Sequence, residues 1–282
     1  MIALGKKSGG SLDLSLLRTI LGVQATHDDN CMHGDQQMSE QVYEVLRSIQ
    51  ANSRAPMKVT TDAYGNIYVR KGTARTTPCI VAHLDTVHPI VDGYRIALRN
   101  DTLFAYSRQT REQVGIGGDD KVGVYLVLQA LTDLGSLKAV LFRNEEIGNL
   151  GSQYSIRHER GFYDGCGFIL QCDRKGSTDF VKMSNGVAMT TAAFDKAVAP
   201  FLDKHGFIAS TEGVGTDVDV LVDAGVGVCA ANIASGFFYP HTDKETVSVR
   251  HVGRAYALVY DLCTAFRRRR FALGNAVSAG LV

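Results

Sequence analysis

Two adjacent carboxylates, Glu145 and Glu146, follow an apolar run at 137–142 that predicts a buried strand. Side chains on an extended chain alternate between opposite sides, so the two carboxylates cannot share one task. Burying either carboxylate without a partner would cost several kcal/mol. A solvated loop is the simplest explanation for a single pair of this kind. A metal ligand beside a general base is the alternative, and the rest of the chain favours it.

Five segments of the chain each end in acidic or histidine side chains: His83 with Asp85, Asp119, Glu145 with Glu146, Asp173, and His241. In open α/β sheets the functional crevice lies beyond the carboxyl ends of the strands, so we expect these side chains to lie close together. Imidazole nitrogens and carboxylate oxygens are ligands of zinc-like ions. The joint pattern therefore predicts a site for one or two such ions.

The individual residues suit distinct tasks at such a site. Two neighbouring ions need a bridging carboxylate, and Asp119 sits on a glycine-rich turn that lets the backbone approach closely. His83 would bind an ion through one ring nitrogen, and Asp85 would accept a hydrogen bond from the other. Of Glu145 and Glu146, one would hold an ion and its neighbour would take a proton from the attacking water.

Each of these residues also has an ordinary structural explanation. His83 could be a hydrogen-bonded core histidine, and His241 could lie in a surface turn. Asp119 and Asp120 could occupy a helix N-terminus, where acidic residues are favoured. The glycine-rich turn at 115–118 lacks the spacing of a dinucleotide site and the Lys-Ser/Thr of a P-loop. Ser177, Ser184 and Ser210 lack the sequence context of a nucleophile elbow.

Composition and periodicity favour an α/β protein in which strands and helices alternate. The 282 residues are 45% apolar and 21% charged, and the net charge of +1 gives no electrostatic argument for a nucleic-acid partner. We expect neither a membrane span nor a secretory signal. The expected fold is a three-layer α-β-α sandwich around a mixed, mostly parallel, twisted sheet.

The apolar spacing predicts the positions of most elements. Helices are predicted at 11–21, 39–53, 122–134, 152–159, 188–206 and 251–271, with Ser39 capping the second. Strands are predicted at 58–62, 66–70, 79–82, 137–142, 168–172 and 246–249. Residues 178–183 are expected to pair beside the strand at 168–172, and 232–240 to form a loop that delivers His241.

Three other features have less specific explanations. His27, Cys31 and His33 match no standard metal-ligand spacing, so we interpret them as loop residues. The run Arg267–Arg270 ends the last predicted helix, where cations suit the helix dipole. The six cysteines are scattered without a Cys-x-x-Cys pair, which predicts buried, reduced thiols in a cytoplasmic protein.

The motifs resemble those of the co-catalytic zinc exopeptidases of the peptidase T and aminoacylase type, and they occur in that family's order. Five motifs carry the resemblance: His83-Leu-Asp85-Thr-Val, Gly118-Asp119-Asp120-Lys121, Glu145-Glu146-Ile-Gly148, Asp173-Arg-Lys-Gly176 and His241-Thr-Asp-Lys-Glu245. Two more match family positions: Asp62-Ala-Tyr-Gly65-Asn66 and Gly215-Thr216-Asp217. The resemblance spans most of the chain.

The resemblance implies two bound divalent cations. Zinc is expected, with cobalt or manganese as alternatives. His83, Asp119 and Asp173 would hold one ion. Asp119, Glu146 and His241 would hold the other, so that Asp119 bridges the pair.

The resemblance also implies roles for the residues beside the ligands. Glu145 would be the general base, and Asp85 would be the hydrogen-bonding partner of His83. The family has a cis peptide bond after the bridging aspartate, here between Asp119 and Asp120.

One departure from the family concerns domain organisation. Relatives of the peptidase T type insert a separate lid and dimerisation domain between the ligands matched by Asp173 and His241. Here His241 follows Asp173 by 68 positions, and the core itself needs much of that length. We therefore expect one catalytic domain, residues 1–282, without an inserted lid. The oligomeric state stays open.

The activity that the resemblance implies is hydrolysis of an amide bond. Asp173 matches a position that is Asp in aminopeptidase-like members and often Glu in carboxypeptidases and deacylases, which favours an aminopeptidase or a di- or tripeptidase acting on short peptides. An N-acyl amino acid amidohydrolase is the alternative, and a non-catalytic binding protein of the same fold is another. Asp217 could receive a substrate amine, whereas Arg108, Arg111 or Arg174 could receive a carboxylate.

Overall fold

Strands and helices alternate along the protein, whose computed structural model describes residues 12–27 and 34–274. The strands are β1 (Met57–Thr61), β2 (Ile67–Lys71), β3 (Thr77–His83), β4 (Tyr94–Arg99), β5 (Thr102–Ser107), β6 (Gln113–Val114), β7 (Leu137–Phe142), β8 (Cys166–Arg174), β9 (Asp179–Val181), β10 (Met183–Ser184), β11 (Val187–Ala188), β12 (Ile208–Ser210), β13 (Ala230–Ala234), β14 (Phe237–Phe238) and β15 (Thr246–Ser248). The helices are α1 (Leu14–Gly22), α2 (Gln36–Asn52), α3 (Gly118–Asp133), α4 (Leu150–His158), α5 (Ala192–His205), α6 (Asp217–Asp223) and α7 (Val249–Ala265), with a short 3₁₀ helix at Arg160–Tyr163. Cys31 and His33 lie outside the described residues.

The main sheet has eight strands in the order β1-β2-β7-β3-β8-β13-β9-β12. The central strands β7, β3, β8 and β13 run parallel to one another. Antiparallel pairing joins β1, β2 and β7 on one side and β13 to β9 on the other. The sheet is therefore mixed with a parallel centre, as predicted.

Alternating side chains of the central strands supply two hydrophobic layers. In β3, Ile80 and Ala82 pack among residues of α1, α2, α3, α5 and α7 on one face of the sheet. Cys79 and Val81 pack on the other face with residues of α4 and α6. This arrangement confirms the predicted three-layer α-β-α sandwich. No helix in the described part of the chain is long and apolar enough to span a membrane.

A second, antiparallel sheet lies beside the main one in the order β14-β15-β5-β4, with β6 paired to β5. Its strands come from the excursion between β3 and α3 and from the segment before α7. The turn between β14 and β15 carries His241. Residues 232–240 are therefore not the simple loop that the sequence predicted, because β13 and β14 occupy most of that stretch.

Two predicted helix boundaries and one predicted strand pairing are also wrong. Helix α2 begins at Gln36, so Ser39 lies inside it; Asp35 precedes the helix without a cap bond and pairs with Arg143 instead. Strand β9 pairs with β13 and β12 rather than with β8, because β13 lies between them. Helix α7 ends at Ala265, so the Arg267–Arg270 run follows the helix instead of ending it.

Leu141→Ala should destabilise the fold, because this β7 side chain is fully buried in the core. We expect a loss of about 2–5 kcal/mol in the free energy of unfolding, measured by urea denaturation. Leu98→Ala makes the same chemical change at a side chain that is 39% exposed, and it should cost far less. Equal losses in the two variants would contradict the described core.

Candidate metal centre

Three adjacent parallel strands bring candidate side chains to one edge of the main sheet. Strands β7, β3 and β8 lie side by side. His83 is the last residue of β3, Glu145 and Glu146 follow β7, and Asp173 is the penultimate residue of β8. The carboxyl ends of these strands therefore form a crevice with the expected side chains in it.

The ring of His83 is surrounded by carboxylates. Its Nε2 atom lies 3.2 Å from Asp119 Oδ1, 3.7 Å from Asp173 Oδ1 and 3.9 Å from Glu145 Oε2. Its Nδ1 atom lies 3.1 Å from the backbone carbonyl of Asp85 and 3.5 Å from the carboxylate of that residue. Burial acts to lower the pKa of His83, but hydrogen bonds to Asp119, Asp173 and Asp85 outweigh burial and raise the pKa.

Each oxygen of the Asp119 carboxylate faces a different imidazole. Oδ1 lies 3.2 Å from His83 Nε2, and Oδ2 lies 3.3 Å from His241 Nε2. Burial acts to raise the pKa of Asp119, but hydrogen bonds to the two histidines lower it. The peptide bond between Asp119 and Asp120 is cis, which confirms that expectation.

The carboxylate of Asp120, next to Asp119 in the chain, binds backbone N–H groups. One of its carboxylate oxygens accepts the backbone N–H of His83 at 3.2 Å, and the other accepts that of Gly123 at 2.9 Å. Burial raises the pKa of Asp120. Its two oxygens therefore anchor the end of β3 and the first turn of α3.

The carboxylates of the adjacent residues Glu145 and Glu146 have different surroundings. Glu146 Oε2 lies 3.2 Å from His241 Nε2, and Glu146 Oε1 is buried without a hydrogen-bond partner in the described part of the chain. Glu145 Oε1 accepts a hydrogen bond of 2.9 Å from Asn149. Burial raises the pKa of Glu145 to about 8, and the negative charges of Asp217, Glu146 and Asp119 act in the same direction.

His241 approaches this pair from the second sheet. Its side chain is 50% exposed, which makes it the most accessible of the candidate ligands. Hydrogen bonds to Asp119 and Glu146 raise its pKa to about 10. The backbone of His241 is left-handed, with φ of 62°.

Two groups of hydrogen bonds fix the turn that carries the glutamates. The carboxylate of Asp85 accepts the backbone N–H of Glu145 and that of Glu146, each at 3.1 Å. The side chain of Asn66 accepts the N–H of Arg143 at 3.0 Å and donates to Gly151 at 3.0 Å. The motif at 62–66 therefore supports the start of the turn, and Asp85 supports its tip.

Several supporting residues were not predicted from the sequence. Gln171 donates to Asp173 Oδ2 at 3.1 Å, and Asn232 accepts the Asp173 N–H at 3.0 Å. Gln171 could have been found, because it lies two residues before Asp173 on the same face of β8. Asn232 and Asn149 carry no such signal, since their contacts depend on tertiary packing.

The remaining predicted residues lie farther from the imidazoles. Asp217, the first residue of α6, is fully buried; its Oδ2 lies 3.4 Å from Gln171 Nε2, and its Oδ1 has no hydrogen-bond partner among the described residues. Burial raises the pKa of Asp217 to about 6. Arg174 pairs with Asp179 at 3.3 Å. Arg108 and Arg111 lie in the turn between β5 and β6 of the second sheet.

The donor set fits divalent cations. Asp119, Glu146 and His241 each offer one ligand atom, and these atoms lie within 4.8 Å of one another; the same holds for His83 with Asp120 and Asp173. Imidazole nitrogens and carboxylate oxygens suit zinc and similar ions. Within residues 12–27 and 34–274, no hydrogen bond reaches Glu146 Oε1. A buried carboxylate oxygen ordinarily has a hydrogen-bond partner, and a bound cation would take that partner's place.

Comparison with solved structures finds the same fold in peptidases. Aminopeptidase PepT from Bacillus cereus matches with a TM-score of 0.68 at 13% identity, over 88% of this chain and 96% of that one. A tripeptidase from Staphylococcus aureus matches with a TM-score of 0.66 at 11% identity, over 91% and 98% of the two chains. An aminopeptidase from the archaeon Desulfurococcus kamchatkensis matches with a TM-score of 0.62 at 16% identity, over 88% and 93%.

These matches define the class of the fold. The chain has the fold of these aminopeptidases and this tripeptidase, which confirms the fold that the sequence resemblance implies. No protein-family model matches the chain, and no curated protein matches its sequence.

Asp85→Asn should destabilise the turn that carries Glu145 and Glu146. The carboxylate accepts two backbone N–H groups, whereas an amide offers one oxygen and turns its NH2 group toward the second donor. We expect a loss of about 1–3 kcal/mol in the free energy of unfolding of chelator-treated protein. Asp92→Asn, at an exposed loop position, is the matched control. A loss at Asp85 no larger than the control's would contradict this account.

Proposed function

We propose that the chain is a hydrolase of amide bonds that uses two divalent cations. One observation carries the proposal: the two oxygens of Asp119 face His83 Nε2 at 3.2 Å and His241 Nε2 at 3.3 Å. A carboxylate placed between two imidazoles suits a bridge between two ions. The peptidase fold supports the same conclusion.

The cations are assigned to five residues. His83, Asp119 and Asp173 hold one ion, and Asp119, Glu146 and His241 hold the other. Asp119 is preferred to Asp120 as a ligand of the first ion, because both carboxylate oxygens of Asp120 accept backbone N–H groups. Zinc is the expected metal, with cobalt or manganese as alternatives. When bound, the ions would polarise the scissile carbonyl and lower the pKa of the attacking water.

Glu145 is assigned as the general base. Asn149 holds one of its carboxylate oxygens, which leaves the other directed into the crevice, 3.9 Å from His83 Nε2. That oxygen takes a proton from the attacking water and later gives it to the leaving amine. Asp85 holds the backbone N–H of Glu145 and so fixes where its carboxylate lies.

The charge of the crevice favours a substrate with a free amine. Seven acidic side chains line the crevice: Asp85, Asp119, Asp120, Glu145, Glu146, Asp173 and Asp217. Lys121, a buried basic side chain beside the crevice, donates to the carbonyls of Leu21 and Val23 rather than to these carboxylates. An acidic lining suits the ammonium group of a peptide N-terminus better than the carboxylate of an N-acyl amino acid. We therefore favour an aminopeptidase or a di- or tripeptidase acting on short peptides.

We also propose that residues 1–282 form one catalytic domain without an inserted lid. The interval between Asp173 and His241 holds α5, α6 and strands of both sheets, so the core uses that length. A cytoplasmic location agrees with the five cysteines of the described chain, which are all free and buried. The proposal includes no nucleic-acid or membrane partner.

Glu145→Gln should abolish turnover while cation binding persists, because the amide cannot accept the proton. We expect kcat on a leucine amide to fall by about 10²–10⁴-fold. Cation content by elemental analysis should stay near that of the unchanged protein. Glu44→Gln, at an exposed position of α2, should leave both quantities unchanged.

The same assay separates the candidate activities. Hydrolysis of the leucine amide but not of an N-acetyl amino acid supports the aminopeptidase. The reverse preference would replace it with the amidohydrolase, and cation binding without hydrolysis of either substrate would indicate a binding protein. Full activity in Glu145→Gln would remove Glu145 as the base.

A further inference from the structure

Glu245 is a fully buried carboxylate to which the proposed reaction assigns no role. Its Oε2 atom accepts the backbone N–H of Gly117 at 2.7 Å and lies 2.7 Å from His88 Nε2. Its Oε1 atom accepts the backbone N–H of Asp119 at 3.0 Å. Both oxygens are thus engaged, as a buried carboxylate requires.

These contacts join three segments that reach the metal centre from different elements. His88 belongs to the loop that leaves β3 after His83. The N–H of Asp119 belongs to the turn that enters α3. Glu245 itself follows His241 by four positions in the turn before β15. One carboxylate therefore connects the segments that carry three of the candidate ligands.

The glycine-rich turn at 115–118 is packed closely around this carboxylate. A Cβ atom added at Gly118 would lie 2.7 Å from Phe237 Cβ and 2.8 Å from Val247 Cγ2, and one added at Gly115 would lie 2.0 Å from the ring of His88. Such distances are too short for carbon atoms. The turn therefore has no room to move toward these neighbours.

We propose that Glu245, held in place by His88, is a positioning residue that sets the spacing of His83, Asp119 and His241. This inference rests on the proposed function, since the spacing matters only if these residues bind a pair of cations. Glu245 acts on the backbone of Asp119 and on the turn of His241, and it touches neither substrate nor cation. Residues that orient metal ligands in this way commonly contribute about 10–100-fold to metal affinity.

Glu245→Gln tests the inference with little change in volume. The amide keeps one acceptor oxygen and turns an NH2 group toward one of its two backbone donors, so the turn at Asp119 should shift. We expect the affinity for Zn²⁺, measured by competition with a chromophoric chelator, to fall by about 10–100-fold. Activity on a leucine amide should recover toward the original kcat as the cation concentration is raised.

Glu112→Gln is the matched control, because this exposed glutamate lies in the turn before β6; its Zn²⁺ affinity should not change. If Glu245 has only a structural role, Glu245→Gln should lower the melting temperature and leave the Zn²⁺ affinity of the folded protein unchanged. That result would overturn the inference. If Glu245→Gln does not fold, His88→Asn is the second variant, because it removes only the contact of His88 with Glu245. An unchanged Zn²⁺ affinity in His88→Asn would also overturn the inference. If the protein without any substitution binds no cation, the proposed function itself is overturned.

Discussion

Repulsion among carboxylates is the constraint on which the rest of the site depends. Asp119, Glu145, Glu146 and Asp173 all lie within 4 Å of His83 or His241. Carboxylates gathered around the same two imidazoles in a poorly solvated crevice repel one another, which opposes folding. The protein offsets this cost with hydrogen bonds from the two imidazoles and from backbone and amide N–H groups. Two divalent cations would offset much of the remainder.

Both sheets position the candidate ligands. The parallel centre of the main sheet delivers His83, the glutamate turn and Asp173 from strands that hydrogen-bond to one another, so their spacing follows from the spacing of the strands. His241 comes from the antiparallel second sheet, whose strands pair with one another rather than with β3. A separate connection is needed there, and the contacts of Glu245 supply one.

The sequence predicted the central architecture well because apolar runs are informative where strands are buried on both faces. The strand at 137–142 and the side chains beyond it were located correctly for that reason. Short elements such as β12 and β14 were missed, since two or three residues carry no periodicity. The contacts of Gln171 and Asn232 with Asp173 are tertiary, and Asp35 was not anticipated as the partner of Arg143 because the two are far apart in sequence.

The most direct test of a two-cation centre bridged by Asp119 is a crystal structure of cobalt- or zinc-loaded protein with anomalous diffraction at the metal edge. We expect two anomalous peaks, one on either side of the Asp119 carboxylate. One peak should lie about 2.0–2.2 Å from a nitrogen of His83 and the other at the same distance from a nitrogen of His241. A fully loaded crystal with no peak in the crevice, or with one peak that Asp119 does not touch, would contradict it.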